Sequence, residues 1–184
     1  MDTVRYFKDH AKAQLRELRA GLDSSLGLQQ VQHQVAGDAG YRSWRELLAA
    51  DESDRRLAAL MVSEPSLNLN GFGPGAYTAS LQKRREQFRQ WRSELRSSSE
   101  SVEMLCRWLE DNFEPRKTIN EQANSYTLKH LAEKDLGIYV ANGELIAAAL
   151  IVGYPCRKGS GTSPNADFGM SSRSITAIRR RLTS

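Results

Sequence analysis

The run Ser125-Tyr126-Thr127-Leu128-Lys129-His130-Leu131-Ala132-Glu133-Lys134-Asp135-Leu136, followed by Gly137-Ile138-Tyr139-Val140 and a second run from Asn142, decides the fold. The first run reads as a helix. The second, Asn142-Gly143-Glu144-Leu145-Ile146-Ala147-Ala148-Ala149-Leu150-Ile151-Val152, has Asn142 as its expected N-cap and Gly153 as its C-terminal stop. After Gly153-Tyr154-Pro155, the segments Cys156–Gly161 and Ala166–Met170 read as a basic hairpin. Two helices and a hairpin form the layout of a winged helix-turn-helix, a unit that most often holds one helix in a DNA groove.

Upstream, Leu81, Phe88, Trp91 and Leu95 fall near one face of a long helix from about Ala76 to Arg96, and Ser97-Ser98-Ser99 breaks it. Another helix, Val102–Asn112, turns Leu105, Trp108 and Leu109 inward and is stopped by Pro115. At the other end, Val4, Phe7, Ala11, Leu15, Leu18 and Leu22 form an apolar stripe. A second helix covers Leu28–Ala36. A third begins at Ser43, with Glu46 placed to complete a capping box. The stretch 62–77 is dense in Gly, Pro and Asn and reads as a linker or irregular loop, the best domain boundary. The expected organisation is therefore a mainly α chain: an N-terminal three-helix module over 1–61, a linker over 62–77, and a helical, winged-helix-like domain with a short β-hairpin over 78–184.

With 184 residues, 40% of them hydrophobic, the chain has room for one ordinary domain or two small ones. The longest apolar run, Leu145–Val152, is about half the roughly 18 residues that span a bilayer, so no membrane partner is expected. Charge near Met1 argues against export, and the cytoplasm is the expected address. Cys106 and Cys156 lack metal-site spacing and read as reduced, partly buried thiols. The net charge of +4 is unevenly spread: residues 77–184 hold seventeen Lys/Arg against twelve Asp/Glu, while residues 1–76 hold nine against ten. The excess lies in Leu81–Arg96 and Arg157–Ser184, with an acidic stretch between them. Segregation of this kind suits a polyanion.

The N-terminal pattern, Ala11-Lys12 with Leu15-Arg16 and then Gly40-Tyr41-Arg42-Ser43-Trp44-Arg45-Glu46-Leu47, resembles a short helical module of plasmid- and phage-borne proteins, some of them glyoxalase-superfamily-related. The His that precedes Gly-Tyr in that module is displaced to His33, and no glyoxalase chemistry is implied. The C-terminal pattern includes Thr118-Ile119-Asn120, Ser125-Tyr126-Thr127-Leu128-Lys129-His130, Tyr139-Val140-Ala141-Asn142-Gly143-Glu144, Asn165-Ala166-Asp167-Phe168 and Ser171-Ser172-Arg173-Ser174. It resembles a recurrent phage and plasmid domain of no assigned activity. Together the two resemblances imply an accessory protein of a mobile genetic element.

The function expected is DNA binding or regulation for such an element. Lys129, Arg157, Lys158, Arg173, Arg179, Arg180 and Arg181 would anchor phosphates, with the Asn142 helix at the groove. That helix offers base edges little beyond Asn142 and Glu144, and the alternative is a core helix of a helical domain. Arginines around Phe88 and Trp91 could serve stacked nucleic acid, although amphipathic helices commonly bury such aromatics. The competing function is a protein-interaction module, an inhibitor or adaptor acting on a host defence or partition complex, or forming a homodimer. No cofactor or metal is expected. His10, His33 and His130 stand apart, and Gly71-Phe72-Gly73-Pro74-Gly75 lacks the GK[ST] ending of a phosphate loop, so no enzyme activity is expected.

Overall fold

Phe7 and Ala11 are the innermost residues of helix α1 (Thr3–Gly21), and they pack with Val31, Val35, Ala36, Leu47 and Ala58 in one apolar cluster. The coordinates are those of a computed structural model that describes residues 2–21, 26–74 and 80–183. The chain divides into two compact units, Met1–Pro65 and Ser66–Ser184.

In the first unit, α2 (Leu28–Asp38) and α3 (Trp44–Ala49) stand where the periodicity puts them, and Leu22 of the expected stripe lies outside the described residues. Ser43 caps α3 by accepting the Glu46 amide at 3.1 Å. The Glu46 carboxylate reaches one residue further back than a capping box requires, to the Arg42 amide at 2.7 Å. The unit has a fourth helix, α4 (Glu52–Ser63), where only three were expected. Its buried residues Leu57, Ala58, Ala59 and Met61 are too contiguous to show a helical stripe, but Glu52 and Asp54 in the first turn suit a helix N-terminus.

The second unit begins with an antiparallel pair, β1 (Leu67–Asn68) and β2 (Gly71–Phe72). This corrects the linker expected over 62–77. Leu67, Asn68 and Phe72 are buried, and residues 75–77 lie outside the described residues. The Asn68 side chain holds the turn, donating to the Gly73 carbonyl at 2.8 Å and accepting the Asn70 amide at 2.9 Å.

Helices α5 (Leu81–Arg96) and α6 (Ser99–Asn112) follow, and α6 contributes Leu105, Trp108 and Leu109 to the interior. Next come β3 (Pro115–Asn124), α7 (Ser125–Leu136), α8 (Asn142–Val152), β4 (Cys156–Lys158), β5 (Ala166–Met170) and α9 (Ser172–Arg181). The strands form an antiparallel sheet in the order β3-β5-β4. Helix, strand, two helices and a hairpin whose second strand lies in the middle of the sheet is the winged-helix order. Strand β3 had no expectation from the sequence. It carries two register shifts against β5, so its polar residues show no clean alternation of period two. Among the described residues no helix is long and apolar enough to cross a membrane.

Candidate nucleic-acid interface

Asn124 starts α7 by accepting the Tyr126 amide at 3.1 Å, and Gly137, at φ 69°, ends it in the left-handed conformation that favours glycine. The turn from Gly137 to Ala141 is then pinned by Glu133. Its Oε1 accepts Lys129 Nζ at 3.2 Å and the Val140 amide at 3.2 Å, and its Oε2 lies 2.6 Å from His130 Nδ1. Partial burial pushes the Glu133 carboxyl up, but the Val140 amide, His130 and Lys129 outweigh it and hold the pKa below the ordinary value. Lys129 Nζ also reaches the Val140 carbonyl at 3.2 Å and sits 5.2 Å from the Tyr139 ring centroid.

The N-cap of α8 is Ala141, not the expected Asn142; the amide of Ala141 is accepted by Glu144 Oε2 at 2.9 Å. Asn142 is the first helical residue, and its side chain turns toward the β1–β2 turn and the β4–β5 loop. Nδ2 donates to the carbonyls of Asn70 at 3.0 Å and Pro164 at 3.3 Å and to Asn165 Oδ1 at 3.2 Å. Its Oδ1 is buried without a hydrogen-bond partner.

Helix α8 is buried over its first eight residues, Asn142 to Ala149, and Leu150, Ile151 and Val152 at its end are half-buried. The β1–β2 turn lies against the first turn of the helix at Gly143. The Gly143 amide donates to the Leu69 carbonyl at 2.8 Å, and a Cβ on Gly143 would fall 1.9 Å from the Asn68 carbonyl oxygen. The Phe72 amide donates to the Pro164 carbonyl at 2.9 Å. The expected docking of the Asn142 helix at a groove therefore does not fit this surface, because the turns that carry Asn142 and Glu144 are buried.

Several expected phosphate anchors are engaged inside the unit. Arg157 on β4 pairs through Nη2 with Asp167 at 2.9 Å and Glu121 at 3.0 Å, and these hydrogen bonds raise its pKa further. Lys158 Nζ lies 4.6 Å from the Phe72 ring centroid. Arg181 pairs with Asp135 at 2.5 Å. Arg173, Arg179 and Arg180 are exposed on α9. Of the expected site residues, the structure brings Lys129 and Asn142 into one cleft.

That cleft has a volume of about 450 Å³ and is walled by Trp91 of α5, Tyr126 of α7 and Tyr139 of the α7–α8 turn. Leu69, Asn70, Pro164 and Asn165 complete it, with Lys129, Ala141 and Asn142. Tyr126 is 56% and Tyr139 79% exposed. Helix α5 buries only Leu95 among its described positions, and Phe88 and Trp91 are half-buried, so its aromatics are not the core residues that amphipathic spacing favours. Lys83, Arg85 and Arg89 are exposed on the same helix. The sequence carried one signal for Trp91, its setting among arginines, and one for Tyr139, its place in a glycine-led turn. Asn165 stood out only as part of the Asn165-Ala166-Asp167-Phe168 pattern, and nothing in the sequence marked Asn70.

Compared with protein-family models, curated proteins and solved structures, the chain matches none. Among the described residues no cluster of His, Cys, Asp and Glu is arranged to hold a metal ion.

Proposed function

We propose that the chain is a nucleic-acid-binding protein whose contact surface is the open face of α5 and the α7–α8 turn, with α8 serving as buried scaffold. The observation that carries this reading is the combination, on one compact unit, of exposed cations on α5 with aromatic side chains left open to solvent. Cations track a phosphate backbone, and aromatic faces accept bases of any sequence. The mobile-element role follows the resemblance of the C-terminal pattern. The test is a binding titration of the full chain against mixed-sequence DNA at two salt concentrations. Binding should weaken with salt, and replacing Lys83, Arg85 and Arg89 by Ala should lower the salt slope by about 2, at about 0.7 per phosphate contact on a single strand. Absence of binding at low salt would end this reading.

A second groove of about 730 Å³, lined by Leu81, Phe88, Pro74 and Arg85, favours a second reading, a protein partner. Leu81 is 57% exposed there. A partner that survives nuclease treatment and is lost with Leu81→Asp would support it.

A further inference from the structure

We infer that the cleft between Trp91, Tyr126 and Tyr139 is a subsite for one unpaired nucleobase of single-stranded DNA, an inference that rests on the nucleic-acid reading above. Three features of the cleft select this ligand. Its walls are aromatic faces that remain open: Tyr139 is 79% exposed even with Lys129 Nζ 5.2 Å from its ring centroid. Among the described residues that line it, the cation Lys129 is charge-compensated, because its Nζ stands 3.2 Å from the Glu133 carboxylate, so the floor is a poor seat for a phosphate and a good one for a neutral planar group. Its lining includes the polar residues Asn70 and Asn165, with Asn165 Oδ1 already accepting Asn142 Nδ2 at 3.2 Å, and a carboxamide NH2 is a donor that a base edge can accept. The volume of about 450 Å³ lies within the range of small-ligand sites.

Duplex DNA does not satisfy this cleft. Paired bases keep their π faces in the stack, and the groove-reading alternative would need the N-terminal turn of α8 free, where Asn68 and Leu69 lie against Gly143. A single strand presents unstacked bases to aromatic side chains while its backbone follows neighbouring cations. Trp91 belongs to α5, which also carries the exposed Lys83, whereas Arg85 and Arg89 line the other groove, so of these three cations Lys83 is the one left to follow a strand whose base sits in the cleft.

The experiment uses the full chain with a fluorescently labelled oligo(dT), the same-length abasic backbone, and a duplex at equal salt. Oligo(dT) should bind more tightly than the other two. Tyr139→Ala and Tyr126→Ala should each weaken oligo(dT) binding by roughly 5- to 150-fold, leave abasic-backbone binding and the salt slope unchanged, and retain the parent melting temperature. Tyr139→Phe should bind as the parent does, and oligo(dT) should quench Trp91 emission, with the quench lost in Trp91→Phe. If the parent binds oligo(dT) but both alanine variants bind equally well, the base subsite is wrong while the nucleic-acid reading stands. If the parent prefers duplex, the subsite is wrong in the same way. If the parent binds none of the three, both fall.

Discussion

Glu133 is the residue on which the cleft depends, because one carboxylate holds Lys129, His130 and the Val140 amide and thereby sets the turn that carries Tyr139. Its pKa is depressed in the fold, so ionised Glu133 stabilises the native state fully above the ordinary carboxylate value. That contribution is lost as pH falls through the lower folded-state pKa. Glu133→Gln keeps the size but removes the charge beside Lys129, whose side chain is only 12% exposed. A loss of about 1–3 kcal/mol at neutral pH is expected, shrinking toward zero in acid. Urea unfolding of both proteins at a series of pH values from 3 to 7 checks this, and a parallel pair of curves would refute it. The i, i+4 spacing of Lys129 and Glu133 was visible in the sequence. The role of Asn142 was not: an Asn ahead of an apolar run is normally an N-cap, and only the tertiary contacts with Asn70, Pro164 and Asn165 move it one position inward.

At the scale of elements, the β1–β2 pair turns an expected recognition helix into an interior one. Gly143 shows this with a sign. On an open helix face, Gly→Ala stabilises by about 1 kcal/mol through helix propensity. Here the added Cβ would meet the Asn68 carbonyl oxygen at 1.9 Å and the Leu69 carbonyl carbon at 2.8 Å, both backbone atoms that cannot rotate away. Gly143→Ala should therefore destabilise by about 1–3 kcal/mol. Gly37→Ala in α2, where a Cβ meets nothing within 4 Å, should be neutral or stabilising. Thermal melts of the two variants decide the point, and a stabilised Gly143→Ala would mean that α8 is uncovered. The helices of this protein were largely legible from period and caps. Strand β3 and the β1–β2 pair were not, because a bulged strand of mostly polar residues and a Gly/Asn-rich hairpin both look like loop until β5 and α8 supply their partners.

At the scale of the molecule, the hairpin moves the boundary between units to Pro65/Ser66, ahead of the 78 that composition indicated. A fragment starting at Ser66 keeps Leu67 and Phe72 buried, the Asn68 hydrogen bonds, and the bond from Arg92 Nη1 to the Leu67 carbonyl at 2.9 Å. One starting at residue 76 loses all of them. Leu67 and Phe72 alone contribute about 1.5–3 kcal/mol each, and Gly143 would lose the Leu69 carbonyl that its amide donates to and the half-buried Arg92 its bond to the Leu67 carbonyl. Against a whole-domain stability of about 5–15 kcal/mol, the combined loss is large enough to remove the folded state or bring it close to its limit. The fragment 66–184 should melt cooperatively, and the fragment 76–184 should show no transition or one displaced to much lower temperature. Circular dichroism melts of both check this. Equal stability would show that α8 is completed by α6 and α7 alone, and would return its outer face to the list of surfaces able to meet DNA.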